Sequence, residues 1–384
     1  MPRRELWGVP PLTTSARTDV GTVEDLHASA ARLTGLDDFG DGDGYAEGLR
    51  VLLRSYAGEA ALTPAGSKRT RGLLRGALVS RLLAEAAWRE FPEHARVAIE
   101  HPVFVTGLPR TGTTALHRLL TADPAHQGPE LWLTEVPQPR PPRAEWEGHP
   151  VFAALREAYR DAGLDGVHHM RPERVEECWR LLCQSMTSVS FECTAYIPGY
   201  AAWLDGRDWT PAYARHRRNL QLIGLRDQGR RWVLKNPSHL FALDALFATY
   251  PDAMVIQTHR DPRTVIASVC SLTERASAGW STVFGGPVLG RAQLSLWSRG
   301  LRRFRADRAR HDPARFIDVR HADLVADPRG TVEMIYDRLG ARWSPGARSA
   351  VDEAILRGTP TPDHTYDPAA YGLTPALVDA AFAG

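Results

Sequence analysis

The sequence predicts an α/β fold in which a parallel β-sheet is flanked by helices. Four short apolar runs after residue 100 are each followed by a stretch with helical periodicity. That pattern is typical of parallel strands joined by right-handed helical crossovers. Before these runs, residues 20–100 carry helical patterning. We therefore expect a helical N-terminal region, 1–100, packed on the core, and an α/β domain at 101–384.

The N-terminal region is predicted to contain at least two helices. Val23–Leu33 and Leu73–Phe91 both place apolar residues three or four positions apart, and a Gly/Asp cluster at 38–44 predicts a loop between them. Residues 1–19 lack the apolar core of a signal peptide, and no run of about 18 apolar residues occurs anywhere. We expect no membrane span.

The predicted strands are short, mainly apolar runs of the length of a buried strand. They are Val103–Val105, Trp232–Leu234, Ala253–Gln257 and Phe316–Val319. The helices that follow them are predicted at Thr113–Ala122, at Ser238–Tyr250, from Pro262 onwards, where proline suits a first helical turn, and at Arg329–Leu339.

Helical sequence interrupts this alternation at about 150–228 and at 277–309, and a rigid proline run at 137–142 leads into the first insertion. Insertions of this kind usually build a substrate pocket above the carboxyl edge of the sheet. The aromatic residues of the first insertion fit either an apolar pocket or core packing. They include Trp179, Tyr196, Tyr200, Trp203, Trp209 and Tyr213.

Composition excludes several classes of protein. The 384 residues carry a formal net charge of only +2, so we expect no nucleic-acid partner. The four cysteines match no zinc spacing and are too few for a disulfide framework, which indicates reduced thiols and a cytoplasmic protein. No metal-ligand spacing is present, so no metal is predicted. Oligomeric state cannot be predicted from these features.

A candidate phosphate loop, Gly107-Leu-Pro-Arg-Thr-Gly-Thr-Thr114, joins the first predicted strand to its helix. Backbone N–H groups at a helix N-terminus attract anions, and glycines let the chain approach them closely. The spacing of Gly107 and Gly112 matches a nucleotide-binding P-loop, so the sheet is predicted to be P-loop-like. The residue that should then be lysine is Thr113, while a cation, Arg110, lies inside the loop. A tight strand-to-helix turn without a ligand remains the alternative.

Lys235 follows the second predicted strand. Lys68 is the only other lysine in the chain, since every remaining basic residue among the 47 is arginine. A lysine kept at the carboxyl edge of the sheet indicates a need for a compact, mobile charge, as a developing oxyanion requires. The alternative is an ordinary solvated lysine.

Arg260 follows the third predicted strand, and Ser268 lies eight residues later on the helix that begins at Pro262. A guanidinium offers a planar fork for a phosphate dianion, and a hydroxyl adds one donor. The alternative is an Arg260–Asp261 pair that caps the strand. The tripeptide His-Arg-Asp also occurs in protein kinases, but no Asp-Phe-Gly or Gly-x-Gly-x-x-Gly motif accompanies it.

Taken in this order and context, the motifs resemble those of sulfotransferases that use 3′-phosphoadenosine 5′-phosphosulfate (PAPS). The loop is similar to that of a bacterial branch whose phosphosulfate loop reads Leu-Pro-Arg-Thr-Gly-Thr-Thr. The resemblance implies that the loop holds the 5′-phosphosulfate through Arg110, Thr111, Gly112, Thr113 and Thr114. It also implies that Lys235 contacts the bridging oxygen and that Arg260 and Ser268 hold the 3′-phosphate.

The expected activity is transfer of a sulfuryl group from PAPS to a hydroxyl of a small-molecule, lipid or glycan acceptor. Adenosine 3′,5′-bisphosphate would be released. A general base is needed, and the candidates are Glu130 first and His169 second, with His168 beside it. The rival functions are an ATP-dependent P-loop kinase for small molecules and a catalytically inactive nucleotide-binding scaffold. The missing loop lysine argues against the first, and Lys235 with Arg260 argues against the second.

Overall fold

The structure is a computed structural model that describes residues 19–40, 43–161, 171–358 and 366–383. Structural statements below concern these residues. Five strands form one parallel sheet in the order β2-β3-β1-β4-β5 within this part of the chain. They are β1 (Val103–Gly107), β2 (His126–Gln127), β3 (Arg231–Lys235), β4 (Met254–His259) and β5 (Phe316–Arg320). The predicted α/β class and the four predicted strands are confirmed.

The strand that sequence analysis missed is β2. It has two residues and pairs only with β3, so it is too short to show the two-residue periodicity that identifies a strand.

The described helices surround this sheet or lie in the N-terminal region and the first insertion. They are α1 (Val23–Thr34), α2 (Asp43–Gly58), α3 (Pro64–Glu90), α4 (Thr113–Leu120), α5 (Leu131–Glu135), α6 (Pro150–Asp161), α7 (Trp179–Cys183), α8 (Pro198–Asp205), α9 (Thr210–Ile223), α10 (Leu243–Thr249), α11 (Pro262–Ala276), α12 (Gly286–Arg308), α13 (His321–Ala326), α14 (Pro328–Arg338), α15 (Pro345–Arg357) and α16 (Pro375–Phe382).

Two predicted helices have different bounds in the structure. The stretch predicted as one helix at 238–250 is a 3₁₀ helix, Pro237–Phe241, followed by α10, because Asn236 accepts the N–H of Ser238 and begins a tighter turn. The helix predicted at 73–91 begins nine residues earlier, where Thr63 caps α3 by accepting the N–H of Gly66.

The chain forms two compact units. The first comprises the described residues of Met1–Ala98, Pro129–Gln228 and Arg275–Phe284, and the second those of Ile99–Gly128, Gly229–Glu274 and Gly285–Gly384. The second unit contains the whole sheet. Its core packs β1, β3, β4 and β5 against α4, α13, α14 and α15 through fully buried side chains such as Val105, Leu116 and Ile335.

In the first unit, half of the six aromatic residues named above are core residues. Tyr200, Trp209 and Tyr213 are buried, whereas Trp179 and Trp203 are half-buried and Tyr196 is exposed. Core packing therefore accounts for three of these six aromatic residues. None of the helices in the described part of the chain combines the length and apolar character needed to span a bilayer.

Candidate active site

Strand register brings the predicted phosphate-binding residues to one edge of the sheet. Val105 of β1 aligns with Lys235 of β3, and Gly107 aligns with Thr258 of β4. Because all three strands are parallel, the chain segments that follow them leave the sheet on the same side. The loop after β1, Lys235 and the Arg260 segment therefore share this edge, within the second compact unit.

The loop between β1 and α4 needs glycine at two positions. Gly107 has φ +145°, and a Cβ there would lie 2.6 Å from the carbonyl oxygen of Thr258. Gly112, with φ +88°, caps the N-terminus of α4, and a Cβ would lie 3.0 Å from Leu324 and 3.2 Å from His321. These glycines let the loop turn sharply and direct its last N–H groups towards the start of α4.

Arg110 lies within this loop in a left-handed conformation, with φ +67°. Such a backbone conformation is strained for a residue other than glycine, and strained residues of this kind are concentrated at functional sites. The Arg110 Nε atom donates to the Ser268 hydroxyl on α11 at 3.1 Å. Burial, and secondly the charge of Arg260, lower the pKa of Arg110. The structure thus joins two predicted site residues that come from different elements.

Arg260 supports the same loop from β4. Its Nη1 atom donates to the carbonyl oxygen of Arg110 at 2.9 Å. The neighbouring Asp261 carboxylate accepts the N–H of Arg263, which helps to begin α11. Two half-buried guanidiniums, Arg110 and Arg260, therefore lie close together at the carboxyl edge, where a bound dianion would relieve their mutual repulsion.

Lys235 is 2% exposed, and its ammonium group donates to the hydroxyl of Thr114 in the first turn of α4 at 3.0 Å. It thus places a cation beside the first turn of the helix that follows the loop. Below it, His117 contacts the carbonyl oxygen of Val233 through Nε2 at 2.9 Å. Burial, and secondly Lys235, lower the pKa of His117 to about 3, so this imidazole is neutral.

The two other loop threonines are buried. The Thr111 hydroxyl donates to the carbonyl oxygen of Leu108 at 2.6 Å and shares a hydrogen bond with the hydroxyl of Thr258. Its side chain therefore braces the loop. Thr113 is 4% exposed.

His321, the first residue of α13, was missed in the sequence. It is half-buried, and its Cδ2 atom lies 3.2 Å from the position that a Cβ on Gly112 would occupy. Burial, followed by the charges of Arg260 and Arg110, lowers the pKa of His321. The available signal was its position directly after β5, since residues that follow parallel strands collect at the ligand-binding edge.

The candidate bases are not part of this unit. Glu130 belongs to the first compact unit, where it occupies the N-cap position of α5 without a side-chain capping hydrogen bond. Its Oε2 atom accepts a hydrogen bond from Arg140 Nε at 2.9 Å. His168 and His169 lie outside the described residues. Within the described chain, no group of three or more His, Cys, Asp or Glu side chains is arranged to hold a metal ion.

The model of the Sulfotransferase family matches residues 102–345, which include the loop, Lys235, Arg260 and Ser268. The chain belongs to the sulfotransferase family. The match begins just before β1 and ends at the start of α15. It therefore spans the sheet of this sulfotransferase and the insertion between β2 and β3.

Solved relatives cover nearly all of this sulfotransferase. Sulfotransferase STF1 from Mycobacterium tuberculosis H37Rv is 55% identical, with a TM-score of 0.90 over 96% of this chain and 100% of that one. Sulfotransferase STF9 from Mycobacterium avium is 26% identical, with a TM-score of 0.87 over 96% and 97% of the two chains. The α/β architecture with its helical N-terminal region is therefore shared along the length of the chain.

A curated relative carries a specific substrate name. The omega-hydroxy-beta-dihydromenaquinone-9 sulfotransferase Stf3 of Mycobacterium bovis is 29% identical over 266 residues, which are 66% of this chain and 67% of the relative. The Stf3 protein of Mycobacterium tuberculosis matches to the same extent. The acceptor in that name is the terminal hydroxyl of a menaquinone-derived lipid.

Proposed function

We propose that this sulfotransferase moves a sulfuryl group from PAPS to a hydroxyl group and releases adenosine 3′,5′-bisphosphate. The observation that supports the proposal most is the pairing of Lys235 with Thr114 at the start of α4. A lysine from the neighbouring strand reaches the loop helix, in a loop that has Thr113 at the usual lysine position. Arg110, Arg260 and Ser268 supply further donors at the same edge.

In this proposal the two ends of one nucleotide are held separately. The N–H groups of Gly112, Thr113 and Thr114 at the start of α4 hold the 5′-phosphosulfate, with Thr111 and Arg110 in the loop before them. Arg260 and Ser268 hold the 3′-phosphate. Arg110, which donates to Ser268 and lies beside Arg260, links the two halves of the donor site.

The reaction is an in-line displacement at sulfur. The acceptor oxygen forms a new O–S bond as the bond between sulfur and the bridging oxygen breaks, and that electron pair leaves on the 5′-phosphate of the product. Lys235 stabilises the charge that develops on the bridging oxygen, and positioning with charge stabilisation provides most of the rate enhancement. The hydroxyl proton passes to a general base, for which Glu130 is the first candidate and His169 the second.

We infer that the acceptor is an apolar alcohol, with a lipid hydroxyl as the first class to test. The support is the menaquinone-derived lipid in the name of the 29% identical relative. We place the reaction in the cytoplasm, because all four cysteines are thiols rather than disulfides.

Calorimetry separates this proposal from its rival, an ATP-dependent kinase. We expect adenosine 3′,5′-bisphosphate to bind without added metal, and ATP with Mg²⁺ to bind much more weakly, because the loop lacks its lysine. Tighter binding of ATP with Mg²⁺ than of adenosine 3′,5′-bisphosphate would reject the proposal that PAPS is the donor. A mass-spectrometric screen of hydroxyl compounds with PAPS, including isoprenoid alcohols, should then reveal a product heavier by roughly 80 Da.

A further inference from the structure

Arg140, from the proline run, joins two carboxylates in the first compact unit. Its Nε atom donates to Glu130 Oε2 at 2.9 Å, and its Nη1 atom donates to Asp227 Oδ2 at 2.7 Å. Its backbone N–H donates to the carbonyl oxygen of Ile223 at 3.0 Å, so the residue is fixed by main chain and side chain alike. One guanidinium therefore lies between an acid before α5 and an acid after α9.

The three side chains differ in exposure. Arg140 is 6% exposed, Glu130 12% and Asp227 29%. Burial acts to lower the pKa of Arg140, but the charges of Glu130 and Asp227 outweigh it, so the pKa is raised. The cation is therefore permanent, and the acid that contacts water most is Asp227.

The same unit contains a contrasting buried pair. Arg215 donates to Glu85 at 2.6 Å, and their side chains are 8% and 13% exposed. Burial, and next the charge of Arg81, lower the pKa of Arg215 to about 9. The geometry and burial of this pair match those of Arg140 and Glu130, but here a second cation, rather than a second carboxylate, stands beside the arginine.

This difference matters when a glutamate accepts a proton. Protonation of Glu85 would leave the buried guanidinium of Arg215, which already faces the positive charge of Arg81, without its negative partner. A buried charge without a partner is strongly destabilising. Protonation of Glu130 leaves Arg140 paired with Asp227. The arrangement around Glu130 therefore tolerates the neutral form of the acid as well as its carboxylate, as a general base requires.

We propose that Asp227 and Arg140 are positioning residues for Glu130, holding its carboxylate in place and keeping the arginine paired while Glu130 carries the acceptor's proton. The inference rests on the proposed function and on Glu130 as its base. In the step itself, the acceptor O–H bond breaks, the proton moves to a Glu130 oxygen, and the electron pair stays on the attacking oxygen that binds sulfur.

A double-mutant cycle tests this coupling, with PAPS and the hydroxyl compound that gives most product in the screen. Asp227→Asn should lower kcat about 10- to 100-fold, the equivalent of one to two pKa units of lost charge compensation. Asp227→Glu, which keeps the charge, should restore most of the rate. In a Glu130→Gln background, Asp227→Asn should have no further effect on kcat, because it acts only through Glu130.

Binding of adenosine 3′,5′-bisphosphate should be unchanged in every variant. Glu147→Gln, which removes a charge from the exposed Arg143–Glu147 pair of the same unit, is the control and should keep parental kcat. If Asp227→Asn lowered kcat equally in the parent and in the Glu130→Gln background, the positioning role would be overturned. So would parental kcat in Glu130→Gln, which would also remove Glu130 as the base while leaving the donor site intact. If the parent protein bound no bisphosphate and gave no sulfated product, the proposed function itself would fall.

Discussion

Single side chains at the sheet edge have surroundings that distinguish their proposed roles. Lys235 is almost fully buried and touches the loop helix through Thr114. Arg260 is half-buried and holds the loop backbone through the Arg110 carbonyl. A cation beside the first turn of α4 suits the proposed leaving oxygen, and a half-buried guanidinium that contacts the loop backbone suits the proposed 3′-phosphate.

We expect Lys235→Ala to lower kcat about 10²- to 10³-fold, as loss of one oxyanion donor does, with a smaller loss of donor affinity. Single-turnover kinetics with PAPS measures the effect. Lys68→Ala is the matched control, because Lys68 is exposed on α3 and is the only other lysine. A Lys235→Ala enzyme with a near-parental rate would exclude the leaving-group role.

Arg260→Ala should chiefly weaken binding of adenosine 3′,5′-bisphosphate, by roughly 10- to 100-fold, since hydrogen bonds to charged groups contribute about 1.5–3 kcal/mol. Titration calorimetry measures the change. Arg263→Ala serves as the comparison, because Arg263 lies on α11 nearby and pairs with exposed Asp379. Equal affinities of Arg260→Ala and parent would show that the 3′-phosphate lies elsewhere.

At the scale of elements, the start of α4 determines how closely an anion approaches the loop. Gly112 has a left-handed conformation, and its Cα faces Leu324 and His321 of α13. The loop after β1 and the helix after β5 are thus packed together at the carboxyl edge of the sheet. A side chain at position 112 would separate them.

Gly112→Ala is therefore expected to weaken bisphosphate binding and to destabilise the fold by about 1–2 kcal/mol, the usual penalty for a left-handed non-glycine residue. Calorimetry and urea unfolding measure the two effects. Gly72→Ala on α3 provides the contrast, since a Cβ there meets nothing within 4 Å and alanine favours a helix. A Gly112→Ala protein that binds and unfolds like the parent would contradict the close approach.

For the whole molecule, the clearest pH-sensitive groups are two buried histidines, one in each compact unit. The pKa of His117 is lowered to about 3 by burial and by Lys235, and that of His216 is lowered to about 3 by burial alone. Unfolded chain binds a proton at each histidine below about pH 6.5, whereas the folded chain does not. Their contribution to stability is therefore complete above pH 6.5 and is lost as the pH falls towards 3.

The free energy of unfolding should thus decline from pH 7 to pH 5, by about 1.4 kcal/mol per pH unit for each histidine once the pH is below 6.5. In His117→Gln, which can still donate to the Val233 carbonyl oxygen, this decline should be smaller by about 2 kcal/mol. Urea unfolding at both pH values measures it. An unchanged decline in His117→Gln would refute the assignment.

The sequence by itself determined the α/β class, four of the strands and the resemblance to sulfotransferases. These features depend on local patterns: an apolar run of strand length, the glycines of a turn and a proline at a helix start all appear in neighbouring residues. Lys235 could also be selected as a candidate site residue, because it is one of only two lysines in an arginine-rich chain and lies at the end of a predicted strand.

Only the tertiary structure could show the two-residue strand β2, the contact of His321 with the loop, and the sharing of Arg140 by Glu130 and Asp227. Asp227 lies 87 positions from Arg140 in the sequence, and Ser268 lies 158 positions from Arg110. Local periodicity carries no information about such pairs. These long-range contacts depend on the packing of the chain, because the register of the strands and the burial of the helices determine which distant side chains meet.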